Sequence, residues 1–283
     1  MKDKIISHAV QSGLKPLPNV KNIIAVASGK GGVGKSTITV NLALALQQQG
    51  ARVGALDADI YGPSIPLMLD ITNKPDSVDG KSMQPLQNYG LQVMSIGFLI
   101  ATDTPAIWRG PMVSKALQQM LYSTNWPALD YLFIDLPPGT GDIQLTMAQK
   151  IPVAGAIIVT TPQDLALLDA KRALVMFQKV KVSVLGIVEN MSQHICSECG
   201  HVETIFGEQG GSSMAQEYQV PLLGQLPLDK QIRQHIDAGK PTVVAEPQGK
   251  LAQVYAAIAE QVTKNLALQK RDYSAKFGPI EVQ

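Results

Sequence analysis

The feature that most constrains this chain is a glycine-rich stretch, SGKGGVGKST, at residues 28–37. It follows the apolar run NIIAVA at 22–27 and precedes ITVNLALAL, an apolar segment typical of a buried helix. A packed core has no need of four glycines and two lysines in ten residues, whereas a bound phosphate does. The spacing G-x-x-x-x-G-K-[ST] is met by Gly29, Gly34, Lys35 and Ser36.

Each residue type in this stretch suits phosphate binding. Glycines let backbone N–H groups converge on an anion without obstruction by Cβ atoms, and a helix that begins near Lys35 directs its positive dipole end at the phosphates. The Lys35 ammonium can reach the β- and γ-phosphates, and the Ser36 hydroxyl can bind Mg²⁺. The predicted nucleotide-binding residues of the loop are Gly29, Lys30, Gly31, Gly32, Val33, Gly34, Lys35, Ser36 and Thr37.

Apolar strand-like runs alternate with helical patterns along the rest of the chain. Several runs are apolar at both odd and even positions, which indicates strands covered on both faces, and the alternation predicts an α/β fold with a doubly wound, mostly parallel sheet. Strands are predicted at 22–27, 52–56, 91–96, 131–135, 155–160 and 183–188, with a weaker one at 220–226. Helices are predicted at 35–49, 111–122, 143–150, 163–180, 209–218, 229–238 and 248–269.

Composition excludes several classes of function. The chain of 283 residues has 24 Lys and Arg against 23 Asp and Glu, so its net charge gives no reason to expect a nucleic-acid or anionic-membrane partner. No apolar run reaches membrane-spanning length, and the first residues lack the apolar core of a secretory signal. We therefore expect a cytoplasmic protein that binds neither nucleic acid nor membrane.

A second lysine, Lys30, makes the loop more specific. The string GKGGVGKST resembles the deviant phosphate-binding motif of the MinD, ParA and nitrogenase iron protein class. The resemblance implies that Lys30 crosses a homodimer interface to the partner's nucleotide. There it would act as a catalytic cation on the transferred phosphoryl group, together with Lys35.

Phosphoryl transfer also needs carboxylates for Mg²⁺ and for the attacking water. Asp57 and Asp59, in LDADIYGPS, follow the second predicted strand, and Asp135 ends the strand YLFID, so all three are predicted at the carboxyl edge of the sheet. Asp135 is well placed to hold Mg²⁺ through water, and Asp57 either supports the site indirectly or binds Mg²⁺ through water. The same resemblance implies that Asp59 orients or activates the attacking water.

The base is predicted to be adenine. The string NKPD at 73–76 matches a guanine-reading pattern, but it precedes the Asp135 strand and lies in a Pro-rich loop, so we reject it. In the resembled class an asparagine after a later strand contacts adenine, and Asn190 in GIVENMS is the match. Pro227 and Leu228 in LPLD are then expected to wall the base, and ATP is favoured over GTP.

The two cysteines, Cys196 and Cys199 in HICSECGH, leave three interpretations open. With His194 and His201 they could hold one zinc ion, and CxxCG resembles a zinc knuckle. They could form a redox pair, although they do not open a helix beside a first βα unit. They could also meet the same pair of a second copy across a two-fold axis, which gives four thiolates for one [4Fe–4S] cluster. The last interpretation needs the same dimer as Lys30.

With these motifs in place, the chain resembles the Mrp (ApbC) family of iron–sulfur cluster carrier ATPases. The resemblance covers most of the sequence, from the glycine loop through DADIYGPSIP, DYLFIDLPPGTGD, TTPQDLALLDAKRA, VENMS, CxxCG and IFGEQGG to LPLD. It implies a homodimer that binds a [4Fe–4S] cluster between its subunits, takes it from a cluster-assembly scaffold and hands it to apo-proteins. Slow ATP hydrolysis with Mg²⁺ would be coupled to that cycle.

The expected domain organisation is a lead-in segment at 1–20, an ATPase domain at 21–270 that includes the CxxC loop near 190–205, and a tail at 271–283. The alternative function is a zinc-stabilised positioning or scaffold ATPase of the MinD/ParA type with no cluster role. Metal analysis separates the two, because the alternative requires one zinc per chain and neither iron nor sulfide.

Overall fold

The protein folds around one eight-stranded sheet in the strand order β10-β7-β6-β1-β5-β2-β4-β3. A computed structural model describes residues 5–77, 79–99 and 110–272, apart from the side chains of residues 110, 111 and 142. A separate two-stranded hairpin, β8 with β9, carries the cysteines at its tip. The strands are β1 (Val20–Ser28), β2 (Val53–Asp57), β3 (Leu86–Asn88), β4 (Leu91–Ser95), β5 (Leu129–Asp135), β6 (Gly155–Thr160), β7 (Val184–Glu189), β8 (His194–Ile195), β9 (Val202–Glu203) and β10 (Leu222–Gln225).

Helices cover both faces of the sheet. The apolar helix after the glycine loop packs against the last helix of the chain. Cover on both faces explains why most positions of the central strands are apolar. The helices are α1 (Lys35–Gln48), α2 (Ile65–Met68), α3 (Gly110–Tyr122), α4 (Asp142–Lys150), α5 (Asp164–Lys179), α6 (Gly210–Tyr218), α7 (Lys230–Asp237), α8 (Thr242–Ala245) and α9 (Lys250–Ala267).

The predicted fold class is confirmed, since all strand pairings of the large sheet are parallel except that of β3 with β4. β1 lies at the centre between β5 and β6, and both neighbours run parallel to it. The seven predicted strands are present to within a few residues, including the weak candidate at 220–226, which is β10. Two short elements, α2 and the antiparallel edge strand β3, lie where the sequence predicts neither a helix nor a strand.

The segment before β1 packs onto the domain. His8 is buried, and its backbone N–H and its ring Nδ1 both lie within hydrogen-bond distance of Asn22 Oδ1, at 3.0 and 2.9 Å. Residues 7–9 also pair with residues 270–272 through backbone hydrogen bonds. The predicted tail lies outside the described residues from position 273 onward, as do the first four residues of the predicted lead-in segment. The expected domain boundaries therefore remain predictions.

Asp130 stabilises the edge of the sheet opposite the glycine loop. Its carboxylate accepts hydrogen bonds from Lys21 Nζ at 2.6 Å and from Arg52 Nε and Nη2 at 3.2 and 3.1 Å. Burial alone would raise the pKa of Asp130, but these donors outweigh it and hold the pKa well below its usual range. The folded state therefore binds fewer protons here than the unfolded state does just below pH 4, so this stabilisation is present at pH 7 and is lost as the pH falls further.

Replacing Asp130 by asparagine is expected to lower the free energy of unfolding by about 2 kcal/mol at pH 7, since it removes hydrogen bonds to a charged group. The deficit relative to the wild type should shrink as the pH is lowered from about 5 toward 2. Urea unfolding at several pH values measures it. The matched control is Asp237→Asn, which removes an exposed ion pair with Arg233 and should cost less than about 0.5 kcal/mol. Equal losses for the two variants would contradict this assignment.

No helix in the described part of the chain combines the length and the apolar character needed to cross a bilayer.

Candidate functional site

The glycine loop connects β1 to α1 at the carboxyl edge of the sheet, as the sequence predicts. Two of its glycines are required for steric reasons. A Cβ atom on Gly29 would lie 2.1 Å from the backbone carbonyl carbon of Asp169 in α5, so this glycine lets the loop approach that helix. Gly34 has φ +85°, and a Cβ there would lie 2.2 Å from Asn190 Nδ2. Gly31 and Gly32 are exposed at the outer side of the loop.

Lys35, the first residue of α1, is buried and turned toward carboxylates. Its Nζ lies 2.8 Å from Asp135 Oδ2 and 3.8 Å from Asp59 Oδ2. It is also 3.4 Å from the hydroxyl of Ser36. The predicted phosphate-binding lysine is thus paired with the predicted Mg²⁺ and water-orienting carboxylates, and a triphosphate would have to draw it away from them.

Asp135 is fully buried at the end of β5 and accepts two hydroxyl hydrogen bonds from α1. Ser36 Oγ donates to its Oδ2 at 2.5 Å, and Thr39 Oγ1 donates to its Oδ1 at 2.8 Å. Ser36 was predicted, and Thr39 was missed. The available signal was its position three residues after Ser36, which places both hydroxyls on the same side of a helix.

Asp57 and Asp59 lie beside Asp135, and Asp57 is opposite Asp135 in the register of β2 with β5. Asp57 Oδ2 accepts from the backbone N–H of Ile65 at 3.0 Å and from Ser95 Oγ at 3.1 Å, so this carboxylate holds the loop that follows β2. Burial, with the nearby charge of Asp135, raises the pKa of Asp57. Burial also raises the pKa of Asp59, against the opposing effect of Lys35.

This donor set fits Mg²⁺. A hydroxyl and several carboxylate oxygens converge on one edge of the sheet, and hard oxygen ligands are those that Mg²⁺ prefers. The residues that would hold the ion are the predicted Ser36 and Asp135, with Asp57 behind them.

The loop after Asp135, residues 137–141, is ordered by a side chain that the sequence analysis missed. Gln144 of α4 donates through Nε2 to the carbonyl oxygens of Pro137 and Pro138, and its Oε1 accepts from the backbone N–H of Gly141 at 2.9 Å. Nothing in the sequence distinguishes this glutamine from a surface one. Its role depends on the turn that brings α4 back over the loop.

The Lys30 side chain binds the residue that precedes α5. Its Nζ donates to Gln163 Oε1 at 3.3 Å, and the same oxygen accepts from Thr161 Oγ1 at 3.1 Å. Gln163 directly precedes α5, so the predicted intersubunit lysine lies beside the start of that helix. Its predicted reach into a partner's site is untested by a single chain.

The predicted base-binding residues lie together. Asn190 follows β7, and its Nδ2 donates to the carbonyl oxygen of Val33 in the glycine loop at 2.9 Å. Pro227 and Leu228 belong to the segment after β10, which is hydrogen-bonded to the chain just after Asn190. This bond fixes the orientation of the Asn190 amide, and an adenine amino group, as a donor, would use the acceptor Oδ1.

The cysteine hairpin projects from the same edge of the sheet. Cys196 N donates to His201 O, and Gly200 N donates to Cys196 O, both at 2.9 Å, which closes a tight turn. Backbone N–H groups of Cys199 and Glu198 point at the sulfur of Cys196 and lower the pKa of its thiol. Cys196 is half-buried and Cys199 exposed, and neither is in a disulfide. The turn thus presents two sulfurs, and its backbone N–H groups favour the metal-binding thiolate form of Cys196.

The histidines do not complete a metal site within one chain. Among residues 5–77, 79–99 and 110–272, no group of three or more His, Cys, Asp and Glu side chains is arranged to hold a metal ion. His194 Nδ1 lies 3.2 Å from the carbonyl oxygen of Leu228, outside the turn, and His201 is exposed. The cysteine pair is therefore half of a tetrahedral ligand set.

A strand–glycine loop–helix unit on a parallel sheet, with a lysine, a hydroxyl and acidic side chains at its carboxyl edge, defines a P-loop NTPase. Residues 19–263 match the family model described as ParA, "NUBPL iron-transfer P-loop NTPase". The chain belongs to this family.

Relatives and a solved structure agree with this assignment. The chain is 59% identical over 251 residues to the iron-sulfur cluster carrier protein of Escherichia coli K12, a match that covers 88% of this chain and 68% of that protein. It is 49% identical over 258 residues to the iron-sulfur cluster transfer protein NUBPL of Dictyostelium discoideum, covering 90% and 80%. The ADP complex of a nucleotide-binding protein from Archaeoglobus fulgidus superposes with a TM-score of 0.72 at 38% identity, covering 84% of this chain and 93% of that one.

Proposed function

We propose that this chain is an ATP-hydrolysing iron–sulfur cluster carrier. Two copies form a homodimer, hold one [4Fe–4S] cluster between their cysteine hairpins as cargo, and transfer it to apo-proteins. Relatives named for iron–sulfur cluster carriage and transfer support the cargo, and the ADP complex of the A. fulgidus protein supports the nucleotide.

The observation that carries the proposal is the incomplete metal site. Cys196 and Cys199 present two sulfurs in a hydrogen-bonded turn, and the described residues add no third ligand of the usual types. The zinc-stabilised alternative, with one zinc per chain, needs four ligands within each chain, and the cysteine pair is half of that set. A two-fold axis through the hairpins instead supplies four thiolates, which is the set that a [4Fe–4S] cluster requires.

The nucleotide half of the proposal assigns a role to each side chain at the carboxyl edge. Lys35 exchanges its contact with Asp135 for the β- and γ-phosphates, and Ser36 and Asp135 hold Mg²⁺. When bound there, Mg²⁺ would neutralise part of the negative charge of the phosphates. Asp59, buried near Lys35, orients the attacking water, while Asn190, Pro227 and Leu228 bind the base.

Two features support the dimer: the position of Lys30 and a group of exposed apolar side chains on the same side of the molecule. Lys30 lies beside the start of α5, held by Gln163, and Leu168 of that helix lines one groove with Phe206 at the base of the cysteine hairpin. Apolar side chains are exposed on both elements: Leu165 and Leu168 on α5, with Ile195, Val202 and Ile205 on or next to the hairpin. A partner seated on this side would bury them and receive Lys30 at its own nucleotide.

Anaerobic reconstitution tests the proposal. The wild-type chain, treated with iron and sulfide, should become brown and hold about four irons per dimer, with a mass in solution of two chains. The double variant Cys196→Ala, Cys199→Ala should remain colourless under the same treatment. Iron, sulfide and zinc are quantified together, and the mass is measured by light scattering.

His201→Ala is the matched control, because it should load the same amount of iron as the wild type. The zinc-stabilised scaffold would be established instead if the wild type held one zinc per chain with no iron or sulfide, and if His201→Ala lost that zinc. Colour that survives the double alanine variant would exclude the hairpin as the cargo site. The acceptor proteins, the scaffold and the cytoplasmic location stay predictions.

A further inference from the structure

The segment after β7 and the segment after β10 are joined by a ladder of hydrogen bonds. Leu226 N donates to Glu189 O at 2.9 Å, Ser192 N donates to Leu226 O at 2.9 Å, and Leu228 N donates to Gln193 O at 2.8 Å. The ladder begins next to Asn190, which is bonded to the glycine loop, and it ends at the first residue of the cysteine hairpin. One continuous set of bonds therefore runs from the predicted base-binding residues to the hairpin.

His194 forms the last rung. Its Nδ1 lies 3.2 Å from the carbonyl oxygen of Leu228, and because a carbonyl only accepts, Nδ1 is the nitrogen that carries the hydrogen. Both polar backbone groups of Leu228 are thus held by consecutive residues of the hairpin stem, Gln193 and His194. Two residues beyond His194 lies Cys196, whose backbone N–H closes the turn against His201.

The His194 bond is the longest rung of the ladder. At 3.2 Å it is at the upper end of the usual range for N–H···O bonds, whereas the backbone rungs are 2.8 to 2.9 Å. A shift of a few tenths of an ångström in residues 226–228 would break it and leave the backbone rungs intact. We therefore expect a ligand packed against Leu228 to affect this bond before it affects the backbone rungs.

We propose that His194 is a positioning residue that couples nucleotide binding to the cysteine hairpin through the Leu228 carbonyl. The inference rests on the proposed function in one respect, namely that the base packs against Pro227 and Leu228. A purine placed there displaces the segment that His194 holds, and β8 with Cys196 responds. By linkage, a change in hairpin state alters nucleotide affinity by the same factor.

Thiol labelling of the cargo-free, full-length protein tests the coupling. Cys196 and Cys199 are the two cysteines of the chain, so labelling by a maleimide reports on the hairpin alone. In the wild type, saturating Mg-ADP should change the labelling rate by about fivefold, the low end of common allosteric couplings. In His194→Leu the rates with and without Mg-ADP should be equal, with ADP binding verified by calorimetry.

Two further variants separate coupling from simple loosening. His194→Asn places an amide N–H near the position of Nδ1 and should restore the response to Mg-ADP. His201→Leu removes the other histidine that flanks the cysteines and should behave as the wild type. Loosening of the hairpin in His194→Leu would raise both labelling rates without equalising them.

The outcomes decide the proposal independently of the cargo. A full response to Mg-ADP in His194→Leu overturns it, as does a wild-type rate that bound Mg-ADP does not change. Failure of the wild type to load iron and sulfide would remove the proposed carrier function, yet the ratio of labelling rates would still establish or refute the coupling.

Discussion

Replacing Lys35 by alanine is expected to slow ATP turnover by about a thousandfold, since it removes a cation aimed at the transferred phosphoryl group. This lysine is buried and paired with Asp135 at 2.8 Å. It lies beside two carboxylates, and the side chains that donate to Asp135 besides Lys35 are the neutral hydroxyls of Ser36 and Thr39. Lys35 is therefore the residue of this cluster that brings a positive charge to the phosphates. Phosphate release measured with saturating Mg-ATP gives the rate.

The same substitution leaves the cargo site intact, so the Lys35→Ala dimer should still load about four irons. Because loss of a buried ion pair destabilises a fold by about 3 kcal/mol, circular dichroism must first show that the variant is folded. Lys35→Arg, which keeps the charge, serves where the alanine variant is unstable. Lys171→Ala, which removes a surface pair with Glu217, is the control and should turn over ATP normally. More than a tenth of wild-type turnover in Lys35→Ala would refute the assigned role.

Much of the fold was predictable because its main signal is local. β5 and β6 are buried along their whole length and β1 at all positions but Lys21. Most of their residues are therefore apolar, and the strands stand out from amphipathic helices such as α5. β3 and α2 were missed because they have three and four residues. Elements this short acquire their structure from neighbours, β3 from pairing with β4, and leave no periodic pattern.

In the candidate site, too, some residues could be predicted from the sequence and others could not. The glycine loop has a fixed spacing, and the ends of β2 and β5 placed Asp57, Asp59 and Asp135 at one edge. Thr39 and Gln163 were missed because their partners, Asp135 and Lys30, are distant in sequence. Gln144 was missed although its partner, the loop at 137–141, is close in sequence, because only the turn before α4 brings the two together. Side chains of these types are common on helices, and the sequence does not say what they contact.

The cysteines show a different limit. Their spacing identifies a metal or redox site, but the choice among zinc, dithiol and shared cluster depends on where His194 and His201 lie in three dimensions. The tertiary structure directs the Nδ1 of His194 to Leu228 O and leaves His201 exposed, information that a CxxC spacing does not contain.

Mixing two inactive variants tests whether Lys30 acts on the partner's nucleotide. Lys30→Ala and Lys35→Ala dimers should each be nearly inactive, whereas a 1:1 mixture allowed to exchange subunits should recover about a quarter of wild-type turnover per chain. Half of the dimers are then mixed, and each mixed dimer has one complete site, in which the Lys30→Ala chain supplies Lys35 and its partner supplies Lys30.

Chain exchange with a double variant provides the control for this recovery. Mixing Lys30→Ala with Lys30→Ala, Lys35→Ala should recover nothing, since every copy then lacks Lys30. Lys30 Nζ is held by Gln163 through a long hydrogen bond of 3.3 Å, which dimer formation would break before the ammonium can cross. If the first mixture recovers no activity although tagged chains show that subunits exchange, Lys30 acts within its own subunit. The two-fold arrangement that also joins the cysteine hairpins would then lose its support from the nucleotide site.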